Sequence, residues 1–192
     1  MDVVPVTAFF VAFLATLLAE LGDKTQLVTL TLSCRYKPLR VLAGALTALA
    51  VITGVAVILG DYLAVLLPEK ITMLAGGFFF LGVSFFLLLK KEAANSEFEE
   101  PKGGAFLQTF LLVFLAELGD KTQLTAIALT AAYGNPLAVF LGCMGGQFIN
   151  HSAACFLGAR FFSRLPAGYL KTGSALLFLL FGLIFLSSAF RI

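Results

Sequence analysis

Histidine, tryptophan and charged residues are all scarce in this 192-residue chain, and their scarcity excludes several classes of protein. There is one histidine, no tryptophan, and only 12% charged residues. With a single histidine and no constellation of a nucleophile and a base, the sequence does not predict an enzyme. Soluble domains carry about 25% charged residues, so an ordinary soluble domain is excluded. No basic surface for nucleic acid is present either.

Cysteine is also rare and offers no metal-binding pattern. Cys34, Cys143 and Cys155 lie in or beside apolar stretches without ligand spacing, so they are interpreted as small hydrophobic residues. The first residues, Met1 and Asp2, lack the basic start of a signal peptide, and no cleavable signal peptide is expected.

Hydrophobic residues make up 60% of the chain, which predicts an all-α integral membrane protein. Six apolar segments are long enough to be transmembrane helices: 5–33, 39–60, 69–89, 105–132, 136–160 and 167–189. The first exceeds the ~20 residues that one span requires, so a tilt or a break near Gly22 is expected. The only long polar stretch, 90–104, is predicted to be a linker.

One decapeptide, LAELGDKTQL, occurs at 18–27 and again, letter for letter, at 115–124. Further residues match between the two halves when the offset is increased by one residue, such as Gly44 with Gly142. We therefore predict a duplicated three-helix unit, 1–89 and 105–192. An odd number of spans per unit gives the two units opposite orientations, which is the inverted-repeat plan of many transporters.

The distribution of lysine and arginine predicts the orientation in the membrane. Nine of the 13 basic residues fall on the side of the linker, two on the other side and two within the spans. Because basic residues favour the cytoplasmic side, the linker should be cytoplasmic and both termini should lie outside the cytoplasm.

The repeated decapeptide places charges within apolar segments, at about 2.5–3.5 kcal/mol each. On a regular helix, Glu20, Asp23 and Lys24 would share one face, and the same holds for their counterparts in the second copy, Glu117, Asp120 and Lys121. Gly22 and Gly119 permit either close helix packing or local unwinding. Thr25 and Gln26, with the equivalent Thr122 and Gln123, would reach the same site only if the helices unwind.

If the two units meet about a pseudo-twofold axis, four carboxylates and two ammonium groups share one site with a formal charge of −2. Hard oxygen ligands suit Ca²⁺, Mn²⁺ and Mg²⁺, and the same oxygens can hold protons. The alternative is that Glu20–Lys24 and Glu117–Lys121 are ion pairs that only neutralise each other. That alternative leaves the additional aspartate in each copy unexplained.

Gln147, Asn150 and His151 form a second polar group, on one face of the fifth segment. The corresponding residues of the first unit are Leu49, Ile52 and Thr53, so the duplication is chemically asymmetric. His151 could relay protons or bind Mn²⁺. Equally, the three residues could form hydrogen bonds between helices.

The two complete copies of Glu-Leu-Gly-Asp-Lys-Thr resemble the E-x-G-D-[KR]-[ST] signature of a family of Ca²⁺/Mn²⁺ cation/proton exchangers, with Golgi, chloroplast and bacterial members. The resemblance covers the whole chain. It implies that Glu20, Asp23, Glu117 and Asp120 bind the cation, with Lys24, Thr25, Lys121 and Thr122 in support. It also implies export of Mn²⁺ or Ca²⁺ from the cytoplasm in exchange for protons. The absence of an added targeting segment fits a prokaryotic plasma membrane.

We therefore predict an antiporter of divalent cations without a resident cofactor, embedded in the bilayer, with its oligomeric state left open. Two alternatives remain: an exporter of a small cationic organic solute such as a basic amino acid, and a membrane scaffold whose ion pairs fix the helix register.

Overall fold

A computed structural model describes residues 3–89, 104–162 and 167–190, which form helices joined by short connections. The helices are α1 (Val3–Glu20), α2 (Lys24–Ser33), α3 (Pro38–Leu66), α4 (Glu69–Leu89), α5 (Ala105–Glu117), α6 (Lys121–Tyr133), α7 (Pro136–Phe162) and α8 (Ala167–Ala189). The all-α prediction is therefore confirmed for the described residues. The predicted linker lies outside them, apart from Gly104.

Four of the six predicted segments are single helices, and the other two are each broken into a pair. The break expected near Gly22 is confirmed, with a bend of 69° between α1 and α2. The continuous helix predicted over 105–132 was wrong, because the chain leaves the helical path between Glu117 and Lys121. The second copy of the decapeptide thus interrupts its helix at the same place as the first copy.

Two stretches among the described residues are long and apolar enough to cross a bilayer. By these criteria α3 can span a membrane in one piece, and α1 with α2 meets the same criteria as a bent pair. Apolar helices without strands, as found among the described residues, are consistent with a membrane protein. Six spans arranged as inverted repeats remain a prediction.

The two units are interlocked through glycines at equivalent positions. A Cβ added at Gly44 of α3 would lie 2.5 Å from the carbonyl oxygen of Phe106 in α5. A Cβ added at Gly142 of α7 would collide in the same way with the carbonyl oxygen of Phe9 in α1. Each unit therefore packs its long helix against the broken helix of the other unit, which brings the two breaks together.

Helices α4 and α8 form a second interface between the units. Gly77 and Gly182 face each other, and a Cβ on Gly182 would lie 3.0 Å from the carbonyl oxygen of Gly77. Beside them the ring of Phe80 is fully buried and contacts those of Phe178 and Phe185 at centroid distances of 5.9 and 5.3 Å. This aromatic packing holds α4 and α8, the last helices of the two units, together.

Replacing Gly142 with alanine should destabilise the protein, since the new methyl group has no space against α1. Overpacking of this kind costs about 1–3 kcal/mol. Thermal unfolding in detergent, followed by loss of helical circular dichroism, measures the change. Gly82→Ala is the matched control, because a Cβ at Gly82 meets nothing within 4 Å. Equal melting temperatures for the two variants would contradict the close α1–α7 contact.

Candidate functional site

Both copies of the decapeptide break a helix with the same turn. The helices on either side end or begin at four motif residues: Glu20 (α1), Lys24 (α2), Glu117 (α5) and Lys121 (α6). In the first break the backbone N–H of Asp23 donates to the carbonyl of Glu20 at 3.2 Å, and in the second Asp120 donates to Glu117 at 3.1 Å. Identical local sequences therefore produce identical local structures.

Glycine is required in each turn by its backbone conformation. Gly22 has φ 76° and Gly119 φ 77°, in the left-handed region where a side chain costs about 1–2 kcal/mol. The side-chain oxygen of Gln26 accepts a hydrogen bond from the Gly22 N–H at 2.7 Å, and Gln123 accepts from Gly119 at 2.9 Å. Both helices are therefore unwound at the glycine. From the sequence, this unwinding was required for four residues after the aspartates to reach the site: Thr25, Gln26, Thr122 and Gln123.

Glutamate, aspartate and lysine of each motif would share one face only on a regular helix, and the structure instead shows the local unwinding that the sequence also left open. Each glutamate closes one helix, each aspartate lies in the break, and each lysine opens the next helix. The helical spacing of i, i+3 and i+4 therefore does not determine where these three side chains point. The acids meet across the two units instead.

The four motif acids converge on one point between the two breaks. Glu20, Asp23, Glu117 and Asp120 each offer a carboxylate oxygen, and these oxygens lie within 4.8 Å of one another. The glutamates are buried, at 0% and 1% exposure, whereas about a fifth of each aspartate side chain is exposed. The cluster therefore has a buried end formed by glutamates and an accessible end formed by aspartates.

Lys121 connects the two units within this cluster. Its ammonium group forms an ion pair with Asp23 of the other unit, and it lies 3.4 Å from Asp120 of its own unit. The alternative considered from the sequence, an ion pair of Lys121 with Glu117 along one helix, is thus replaced by pairing across the units. The side chain of Lys24 lies outside the described part of the structure.

The buried glutamates have few partners among the described residues. Both carboxylate oxygens of Glu20 lack a hydrogen-bond partner there, as does one oxygen of Glu117. The hydroxyl of Thr122 donates to the other Glu117 oxygen at 3.4 Å, and Thr25 lies beside the same carboxylate. Since a buried carboxylate without a partner is costly, this arrangement favours a cation or protons as the missing partner.

The helix termini add to the electrostatics of the site. The carboxyl ends of α1 and α5 point partial negative charge toward the breaks, where helix-end carbonyls stabilise cations. The amino ends of α2 and α6 carry partial positive charge next to Asp23 and Asp120, which is the end at which helices stabilise carboxylates. Each break therefore favours an acidic side chain and a bound cation together.

The polar residues of α7 form hydrogen bonds with α1, α2 and α3. Asn150 donates to the carbonyl of Leu17 at 2.9 Å, and the Nδ1 atom of His151 lies 3.2 Å from the hydroxyl of Thr29. Gln147 donates to Thr53 of α3 at 3.4 Å. His151 is not part of the cluster of four acids whose oxygens lie within 4.8 Å of one another. These three residues therefore form hydrogen bonds between helices, one of the two roles that the sequence left open.

Thr29 was not identified from the sequence as a residue of the site. It is fully buried, and its hydroxyl hydrogen-bonds to the carbonyl of Gln26 at 3.0 Å as well as to His151. A signal was available, because Thr29 lies three residues after Gln26 on a helix with a polar face. The second unit has Ala126 at this position, so comparison of the two copies concealed it.

Comparison with known proteins places the chain in a family. The family profile described as "Divalent cation/proton antiporter GDT1" matches twice, over residues 8–95 and 105–192. A putative manganese exporter of Vibrio cholerae is 31% identical over 172 residues, covering 86% of this chain and 84% of the relative. GDT1-like protein 5 of Arabidopsis thaliana is 31% identical over 206 residues, covering 88% and 90%.

GDT1-like protein 4 of Oryza sativa subsp. indica is 32% identical over 202 residues, covering 92% of this chain and 72% of the relative. None of the solved structures matches the chain. Because the family consists of transporters, the prediction that the chain is not an enzyme is confirmed. The family that the sequence resembles is likewise confirmed. The chain belongs to the GDT1 family of divalent cation/proton antiporters.

Proposed function

We propose that this chain exports Mn²⁺, Ca²⁺ or both from the cytoplasm in exchange for protons, using a site near the membrane midplane built from the two motifs. The observation that carries this proposal is that four carboxylates, two from each helix break, offer oxygens that lie within 4.8 Å of one another. Oxygen ligands of this kind suit hard divalent cations. The relative in Vibrio cholerae, described as a putative manganese exporter, supports Mn²⁺ as one substrate.

In this proposal Glu20, Asp23, Glu117 and Asp120 bind the cation. A proton and a divalent cation compete for the same carboxylate oxygens, so each can leave when the other arrives. Such competition is the minimum requirement for exchange. Thr25 and Thr122, beside Glu117, provide hydroxyl groups that can adjust to either state of the carboxylate.

The transport cycle we propose is alternating access between two inverted units, 1–89 and 105–192, with 90–104 as a cytoplasmic linker. The two family matches and the interlocked packing of α3 on α5 and of α7 on α1 support this division. Six spans, with each bent pair counted as one, would place both termini outside the cytoplasm. A prokaryotic plasma membrane is the location we propose.

Everted membrane vesicles test this function directly. Vesicles that contain the chain are acidified inside by respiration, and the pH gradient is followed with a fluorescent amine. We expect added Mn²⁺ or Ca²⁺ to dissipate the gradient and radioactive Mn²⁺ to accumulate, because the cation enters as protons leave. Vesicles from the same host without the chain are the control. A pH gradient that neither cation alters would refute the proposal.

One observation favours a second substrate class, a small cationic organic solute such as a basic amino acid. The ammonium group of Lys121 already pairs with Asp23 inside the cluster, so these carboxylates can accommodate an ammonium group. Dissipation of the same pH gradient by lysine or arginine, and not by Mn²⁺ or Ca²⁺, would favour this alternative.

A further inference from the structure

Helix α7 holds the first helix break on both sides of its acids. Before the break, the side chain of Asn150 donates to the carbonyl of Leu17 at 2.9 Å, one turn ahead of Glu20. After the break, the side chain of Gln26 donates to the carbonyl of Asn150 at 3.2 Å. The other end of the same Gln26 amide accepts from Gly22 at 2.7 Å, inside the break. The turn that carries Asp23 is therefore tied to α7 through a single side chain.

A second contact lies one turn further along α2, where Thr29 bonds to His151 at 3.2 Å. Gln26, Asn150 and His151 are each at most 1% exposed, and so is Thr29. We name these four residues the α7 clasp. Leu17 is among the last four residues of α1, whose carbonyls have no partner in their own helix, so Asn150 satisfies a helix end.

The second unit cannot form this clasp. Around the second break, the positions equivalent to Thr29, Asn150 and His151 are occupied by Ala126 of the second unit and by Ile52 and Thr53 of the first. Alanine and isoleucine have no polar side-chain atoms, and the hydroxyl of Thr53 accepts from Gln147 instead. The last turn of α5 is satisfied by its own backbone, with the N–H of Leu118 donating to the carbonyl of Phe114 at 3.1 Å.

We propose that the α7 clasp positions Glu20 and Asp23 for the transported cation, and that Thr29, Asn150 and His151 are therefore positioning residues for the acids of the first unit only. The two halves of the site are then unequal. The acids of the first unit are fixed by contacts with α7, whereas those of the second unit depend on the turn at Gly119 and its Gln123 contact. This inference rests on the proposed function, because it concerns binding of the same cation.

The test replaces clasp residues with those found at the equivalent positions around the second break. In Thr29→Ala and Asn150→Ile, the KM for Mn²⁺ in everted vesicles should rise about three- to twenty-fold, the range of single hydrogen bonds between membrane helices. The maximal rate per molecule should change much less, since no ligand is removed. Thr29→Ser keeps the hydroxyl group and should keep the wild-type KM.

Ser84→Ala is the matched control for loss of a buried hydrogen bond. The hydroxyl of Ser84 donates to the carbonyl of Ala175 at 2.7 Å between α4 and α8, away from the breaks. The KM of Ser84→Ala for Mn²⁺ should equal that of the wild type. If Asn150→Ile fails to reach the membrane, Thr29→Ala, which removes a single hydroxyl and methyl group, decides the question. Wild-type KM values in Thr29→Ala would overturn the clasp, whereas an inactive wild type would overturn the proposed function instead.

Discussion

Substituting glutamine for Glu20 or Glu117 should reduce cation/proton exchange by about 100-fold or more. Each substitution keeps the size of the side chain but removes a negative charge from the buried end of the cluster. The amide can no longer accept a proton, and its nitrogen cannot bind a hard cation. Loss of one partner from a buried charge pair costs about 3–5 kcal/mol, and about 1.4 kcal/mol corresponds to tenfold.

Asparagine in place of Asp23 or Asp120 should have a smaller effect than these glutamine substitutions. About a fifth of each aspartate side chain is exposed, so water can compensate in part for the lost ligand. Initial rates of Mn²⁺ uptake into everted vesicles, normalised to the amount of protein in the membrane, provide the comparison. Asp61→Asn, an exposed position on α3, should leave the rate unchanged. Undiminished uptake in Glu20→Gln and Glu117→Gln would remove the motif acids from the mechanism.

From the sequence it was easier to predict that the four acids lie together than how they are arranged. Two identical copies of a charged decapeptide within apolar segments are sufficient to predict that the acids act together, because isolated charges would be costly in a membrane. The sequence left open whether the acids lie on a regular helix or beside an unwound turn, and these two options place them differently. Gly22 is flanked by Leu21 and Asp23, and Gly119 by Leu118 and Asp120. The left-handed φ of each glycine redirects the acid, and the sequence alone does not give that angle.

Contacts between the units could not be predicted from spacing along the chain. Lys121 pairs with an acid 98 residues away, and Asn150 reaches a carbonyl 133 residues away. Both contacts depend on glycines that bring the backbones of α7 and α1, and of α3 and α5, into direct contact. The asymmetry at Gln147, Asn150 and His151 was visible in the sequence, but the contact of His151 with Thr29, 122 residues away, became evident only when the helices were packed.

Replacing Lys121 with methionine should make the stability of the protein depend on the divalent cation. The ammonium group of Lys121 pairs with Asp23 and lies 3.4 Å from Asp120, in a cluster whose carboxylate oxygens are within 4.8 Å of one another. Without it, repulsion among these carboxylates is less compensated. The empty protein should lose about 3–5 kcal/mol at neutral pH, as when a buried charge loses its partner.

Added Mn²⁺ should restore much of this loss, because a cation that binds only the folded state stabilises it in proportion to the logarithm of its concentration over Kd. Without Lys121 in competition for the same oxygens, Kd should fall, and the rise in melting temperature on adding Mn²⁺ should exceed that of the wild type. Thermal unfolding in detergent, with Mn²⁺ or with a chelator, measures both effects. Lys70→Met removes an exposed lysine of α4 and should behave as the wild type. If Mn²⁺ raised the melting temperatures of Lys121→Met and the wild type equally, the ammonium group would not compete with the transported cation.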